Sequence, residues 1–135
     1  MSHYTRLKTR IMNREHLVEA LKEMGFRHVE AHDEPRHLYG YLGDRRMDTA
    51  HVIIRRKHVG RSSNDIGFLR GEDGSFTAII SGYDRTKYSE KWLDRLSFAY
   101  ANLATREALA AQGFEIAEER REENGAVRLV MRRVV

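Results

Sequence analysis

Polar and apolar positions alternate from the start of the chain. His3, Thr5, Leu7, Thr9 and Ile11 fall on one side of an extended backbone and Tyr4, Arg6, Lys8 and Arg10 on the other, which predicts a strand with one half-buried face. The period then changes. Leu17, Ala20, Leu21 and Met24 recur every three or four residues behind Asn13, a good helix-capping residue, and the pattern stops at Gly25. Phe26 to about Ala31 reads as a second strand, Asp33-Glu34-Pro35 as a turn, and Leu38 to Leu42 as a short aromatic strand. After the polar stretch Gly43-Asp44-Arg45-Arg46 comes a β-branched run, Ala50 to Ile54, trailed by Arg55, Arg56, Lys57, His58 and Arg61. Asp65–Leu69 and Phe76–Ile80 flank Gly71-Glu72-Asp73-Gly74, a hairpin whose Asp-Gly supplies the positive φ of its turn. Ser89 stands where it would cap a long helix with a stripe of Trp92, Leu93, Leu96, Ala99, Tyr100, Leu103 and Leu109, ending at Gly113 and buried against the sheet. Phe114–Arg121 and Ala126–Val135 form a last hairpin around Asn124-Gly125.

One phrase occurs twice. Glu19-Ala20-Leu21-x-x-x-Gly25-Phe26 returns as Glu107-Ala108-Leu109-x-x-x-Gly113-Phe114, each closing a helix on glycine and resuming on an apolar residue that packs back on the last turn. The order strand, helix, strands, hairpin, helix, hairpin predicts one α+β domain over residues 1–135. Its expected form is a mostly antiparallel sheet with two helices on one face, arranged as two pseudo-symmetric halves. The pattern leaves the other face either wet or open to a partner or second subunit.

Composition narrows the chemistry. The 135 residues contain no cysteine, which excludes disulfides, thiolate metal sites and a cysteine nucleophile. The start of the chain lacks an apolar leader pattern, and no stretch approaches the about 20 apolar residues that cross a bilayer, so a soluble, cytoplasmic protein without membrane attachment is expected. Lysine and arginine total 24 against 20 acidic residues, a net charge of +4 that favours polyanion contact without requiring it.

Seven histidines invite a metal reading, and His28, His32 and His37 are the densest group. Their spacing matches no recognised ligand set, so solvated loop histidines are the preferred reading and no metal is expected. Ser62, Ser63, Ser75, Ser81, Ser89 and Ser97 sit in no nucleophile elbow, and the glycines around Gly60–Gly74 open no helix onto a phosphate; neither a catalytic residue nor a cofactor is assigned. The strongest candidate contact set is basic and aromatic: Arg45, Arg46, Arg55, Arg56, Lys57, Arg61 and Arg70, with Tyr39, Tyr41 and Phe68 for stacking. Such a set on a sheet suits a single nucleic-acid strand, whereas the plainer reading is a charged face that keeps strand edges from aggregating. Glu115, Glu118, Glu119, Glu122 and Glu123 opposite Arg128, Arg132 and Arg133 read as ion pairs across the last hairpin.

Several short motifs in order carry a family resemblance: Ser2-His3-Tyr4-Thr5-x-Leu7-Lys8-Thr9, Tyr39-Gly40, Val52-Ile53-Ile54-Arg55-Arg56, Asp65-Ile66-Gly67-Phe68, Ala99-Tyr100-Ala101, Gln112-Gly113-Phe114 and Val127 to Arg133. The chain resembles, over its whole length, the uncharacterised family called hypothetical chloroplast reading frame thirty-five, of algal plastids, cyanobacteria and other bacteria. The resemblance implies no catalytic residues. Such genes lie near an AAA-type ATPase in some bacteria, so it implies an accessory role in an assembly. Relatives commonly carry a tryptophan-rich segment where this chain has Ile80-Ser81-Gly82-Tyr83-Asp84, which points to a different partner if that segment makes contacts. The expected function is therefore a non-enzymatic adaptor that binds a protein partner, an AAA-type assembly among the candidates, and also itself. The alternative is a single-stranded nucleic-acid module, and the weakest a histidine-dependent metal enzyme.

Overall fold

The computed structural model describes residues 3–134. Ser2 of the first motif and Val135, the expected end of the last strand, lie outside them. Strands β1 (Tyr4–Lys8), β2 (Glu30–Tyr39), β3 (Arg45–Ile54), β4 (Ile66–Arg70) and β5 (Phe76–Ser81) form one antiparallel sheet in the order β1-β5-β4-β3-β2. Helices α1 (Arg14–Glu23) and α2 (Glu90–Ala111) pack on one of its faces, and β6 (Phe114–Arg121) and β7 (Val127–Arg133) make a separate two-stranded ribbon. The architecture is the expected α+β one, with the last hairpin outside the main sheet.

The core follows the strand alternation. Leu7, Val52, Ile54, Ile66, Phe68, Phe76, Ala78 and Ile80 face the helices and meet Leu17, Ala20 and Leu21 of α1 and Trp92, Leu93 and Leu96 of α2. Asn13 caps α1 as expected, its Oδ1 accepting from the His16 amide at 3.0 Å. Ser89 occupies the N-cap of α2 without a capping bond from its hydroxyl; its carbonyl accepts the Leu93 amide at 3.0 Å.

The repeated glycines both take positive φ, +107° at Gly25 and +87° at Gly113, so both helices end in the left-handed turn the repeat announces. The chain leaves the two glycines by different routes. After Gly25, the Phe26 amide donates to the Leu21 carbonyl at 3.1 Å and the Gly25 amide to Lys22 at 3.0 Å, while the Phe26 ring packs edge-on against Trp92. After Gly113 the backbone passes straight into β6, and the Gly113 carbonyl accepts the Val134 amide at 2.6 Å.

Four expectations are corrected. Residues 26–29 precede the strand, which starts at Glu30. Asp33-Glu34-Pro35 is no turn but part of a bulge inside β2, where Ala31 faces Val52 and Arg36 already faces Ala50. Arg14 of α1 anchors the bulge by donating to the His32 carbonyl at 3.1 Å and to Asp33 Oδ1 at 2.9 Å. Because β2 is a sheet edge, Pro35 removes no needed ladder donor there. Third, the turn falls at residues 40–44, with the Gly40 amide on the Asp44 carbonyl at 2.8 Å, so Arg45 and Arg46 belong to β3. Fourth, β3 ends at Ile54 and Arg56–His58 form a 3-10 turn, so the trailing basic residues do not continue the strand.

The sheet's second face is covered from within the chain. Leu38, Ala50, Ile53 and Ile79 form a second buried cluster with Tyr4 and Leu69 against it. Although β5 and β4 separate β3 from β1, Arg6 of β1 reaches Asp48 of β3 at 3.1 Å and the Arg46 guanidinium lies 4.9 Å from the Tyr4 ring. The outer half of the β2–β3 hairpin therefore folds over this face.

Candidate functional site

The chain just past β3 is held by a buried carboxylate. Asp65, 1% exposed, accepts from Arg55 Nη1 at 2.8 Å, the Tyr39 amide at 2.7 Å and the Arg56 amide at 2.7 Å. Arg55 in turn grips Glu30 with two bonds, Nε to Oε2 at 2.7 Å and Nη2 to Oε1 at 2.9 Å, and donates to the His37 carbonyl at 3.0 Å. The Arg55 bonds hold the Glu30 carboxyl below the usual carboxylate range, with burial opposing and His32 assisting. Tyr4 donates its hydroxyl to the Asp65 carbonyl at 2.8 Å, and burial together with the Asp65 charge pushes its ionisation up. These groups satisfy one another and tie β1, β2, β3 and β4 together at one end of the sheet.

The basic and aromatic candidates divide among several places. Tyr39, Arg55, Arg56 and Lys57 gather around a shallow hollow of about 260 Å³ with Gly43 and Asp65, and the Arg55 guanidinium stands 5.7 Å from the Tyr39 ring. Arg45 faces Tyr39 across the hairpin, and Tyr41 is exposed with its amide on Asn64 Oδ1 at 3.0 Å. Arg46 lies over Tyr4, and exposed Arg61 borders a different hollow with Tyr83 and Lys87. Arg70 stacks 4.7 Å from Phe76 and donates to the Met12 carbonyl at 3.0 Å, whereas Phe68 is wholly buried beneath the helices. No single platform collects the set.

The three histidines are likewise apart. His28 stacks on His58 with ring centres 4.4 Å apart, His32 meets Glu30 at 2.8 Å, and His37 Nδ1 meets the Arg46 carbonyl at 2.8 Å. Among the described residues no three histidine or carboxylate side chains converge as metal ligands. In the last hairpin Arg132 pairs with Glu115 and Arg128 with Glu122, the cross-strand pairing expected, and Glu119 also reaches back to Arg106 of α2 at 2.6 Å.

Two features stand outside the expected set. The meeting of two acids, Asp65 and Glu30, on one arginine is not foreseen from the sequence, since no local pattern shows it. The other is an arm made of the far half of α2 and the ribbon, held to the body where the Tyr100 hydroxyl accepts from the Met12 and Asn13 amides and Glu107 meets His16 of α1. Beyond Leu96 no residue of α2, β6 or β7 is fully buried, although the segment carries Phe98, Leu103, Leu109, Ile116, Leu129, Val130 and Met131. Between α2 and the ribbon lie two adjoining hollows, one of about 350 Å³ lined in part by Met24, Trp92, Arg95, Phe98, Arg121 and Val127, and one of about 280 Å³ bordered by Phe98, Asn102, Thr105, Val127 and Leu129.

Compared with known proteins, residues 20–130 match the profile of the family described as "Protein of unknown function (DUF1257)". The chain is 28% identical over 134 residues to "Uncharacterized protein ycf35" of Cyanophora paradoxa, and 24% identical over 138 residues to the protein of that description in Pyropia yezoensis. Each alignment covers 98% of both chains. No solved structure matches it.

Proposed function

We propose, for a chain that belongs to the DUF1257 family of proteins of unknown function, a non-enzymatic accessory role in which the arm of α2 and the ribbon docks a protein partner. The observation that supports this reading is the unburied apolar surface beyond Leu96. Phe98, 48% exposed, stands over the hollows with Val127 and Leu129 of β7 across from it, so the apolar side chains there are contiguous rather than scattered. The surroundings have the anatomy of an interface, an aromatic and aliphatic centre with arginines such as Arg95 and Arg121 at its rim. The occupant is a folded protein, with an AAA-type assembly as one candidate and a second copy of the chain as another. Nucleic-acid binding on the sheet is less well supported, because Arg55 is already engaged by two carboxylates and Phe68 is inaccessible.

The reading is tested by native capture from host extract with mass spectrometry, using the full chain, a Phe98→Glu, Leu129→Glu variant and an Arg45→Gln control. A protein held by the wild type and the control but lost from the arm variant is the expected result. Sedimentation velocity at micromolar concentration reports self-association in parallel. A monomeric wild type that holds nothing through the arm overturns the proposal.

A further inference from the structure

We propose that the hollow between the end of α1 and the turn after β3 binds a compact, multiply charged phosphate, with pyrophosphate or the phosphoanhydride end of a small soluble molecule as the ligand class. The hollow has a volume of about 440 Å³ and is lined by Lys22, Arg27, His28, Glu30, Arg55, Lys57 and His58, with Val29 the only apolar side chain. Its negative charge is already committed. Glu30 gives Oε2 to Arg55 and shares Oε1 between Arg55 and His32, and Arg55 also holds the buried Asp65, so this acid–arginine group carries a single negative charge. Among the described residues Lys22, Arg27 and Lys57 have no carboxylate within ion-pair distance.

Cations close to a helix C-terminus are ordinarily accounted for by the exposed carbonyls. Here the carbonyls of Ala20, Leu21 and Lys22 are taken by the amides of Met24, Gly25 and Phe26. Moreover, Lys57 and His58 arrive from a different element, the 3-10 turn. Three cations and two stacked imidazoles brought into one concavity exceed that single negative charge, and the excess favours an anion among them. The His58 ring shows the sign of that field: burial, then His28 and Lys57, push its protonation down. The charged groups facing it are Lys22 from α1, Arg27 and His28 from the following loop, Glu30 from β2, Arg55 from the end of β3 and its neighbour Lys57. A bound anion reverses the balance at His58, so its imidazole takes up a proton on binding and affinity rises as pH falls through its range.

The test is calorimetric titration of the full chain with sodium pyrophosphate near neutral pH at about 0.1 M ionic strength, where distant surface charges are screened. Histidine ring resonances are followed by NMR in the same samples. Saturable binding is expected, with the His28 and His58 resonances moving. Lys22→Gln, Lys57→Gln should weaken binding about tenfold or more, the scale of losing one charge-assisted hydrogen bond. Both lysines are exposed, so this variant folds. The Arg120→Gln, Arg128→Gln variant removes equal charge from the ribbon and should bind as the wild type does. Sulfate does not titrate near neutral pH, so its binding should strengthen on acidification from about pH 7.5 to 5.5, across the histidine range. Absence of saturable binding, or equal loss in both variants, overturns the proposal. So does binding confined to a single-stranded oligonucleotide, or to vesicles of anionic lipid, with none to pyrophosphate.

Discussion

Asp65 is the residue on which most of one sheet end depends, because a nearly inaccessible carboxylate there meets a guanidinium and two backbone amides. An amide side chain cannot replace it: one of its two termini donates, and every neighbouring group donates too. Asp65→Asn should therefore cost about 3–5 kcal/mol, the usual loss when one member of a buried ion pair is removed. Urea unfolding would measure it, and a change under about 1 kcal/mol, the worth of an ordinary hydrogen bond, would contradict this account. The sequence shows the participants without the contact. Arg55 looks like the first of a run of surface cations because β-branched residues precede it, but the strand ends at Ile54 and the chain turns, bringing Arg55 back to an acid ten residues on. Phe68 escapes the sequence for a simpler reason: alternation says which residues share a face, not which face the helices cover.

Elements whose ends depend on backbone stereochemistry are the most legible. Both helix-ending glycines and both hairpins with Gly at the turn appear where the sequence places them. The β2 bulge is not legible, since Asp-Glu-Pro has turn composition and only the tertiary grip of Arg14 keeps it extended. The two glycine ends also differ in consequence. Gly25 fixes where Phe26 enters the aromatic cluster of Tyr88 and Trp92, whereas Gly113 only joins α2 to the ribbon. Gly25→Val should cost about 1–2 kcal/mol for a Cβ at positive φ, and lower the thermal midpoint by about 3–8 °C. Gly113→Val carries the same local strain, yet it should appear mainly as faster amide exchange in β6 and β7. Equal shifts of the global midpoint would show that arm and body unfold as one unit.

For the whole molecule, acid is the revealing variable. Bonds from Arg55 hold the Glu30 carboxyl down, a bond from Arg14 does the same for Asp33, and Ser75 with Lys8 brings Asp73 to about 2. Each of these groups binds its proton more readily when the chain is unfolded, so each stabilises the fold above the ordinary carboxylate range and loses that contribution as pH falls. His51 and His58 are also shifted down, the first by burial and Arg70, so their protonation opposes folding below about pH 6.5. The melting temperature should decline gently below pH 6.5 and steeply from about pH 4.5 toward 2; a rise on acidification would contradict these assignments. The helix-facing layer is readable from periodicity alone, but the separation of the last hairpin is not, because strand counting cannot tell a sixth and seventh sheet member from a free ribbon. Nor can it show the β2–β3 hairpin folding over its own sheet. The strand order has a further consequence for the order of manufacture. Tyr4 pairs with Ser81, so β1 waits about 4–15 s after it is synthesised, at usual elongation rates, before the strand it pairs with exists. β1 is thus placed in the sheet only after β5 is made, and a nascent polypeptide halted short of β5 holds Leu7 without the Ala78 it faces in the register.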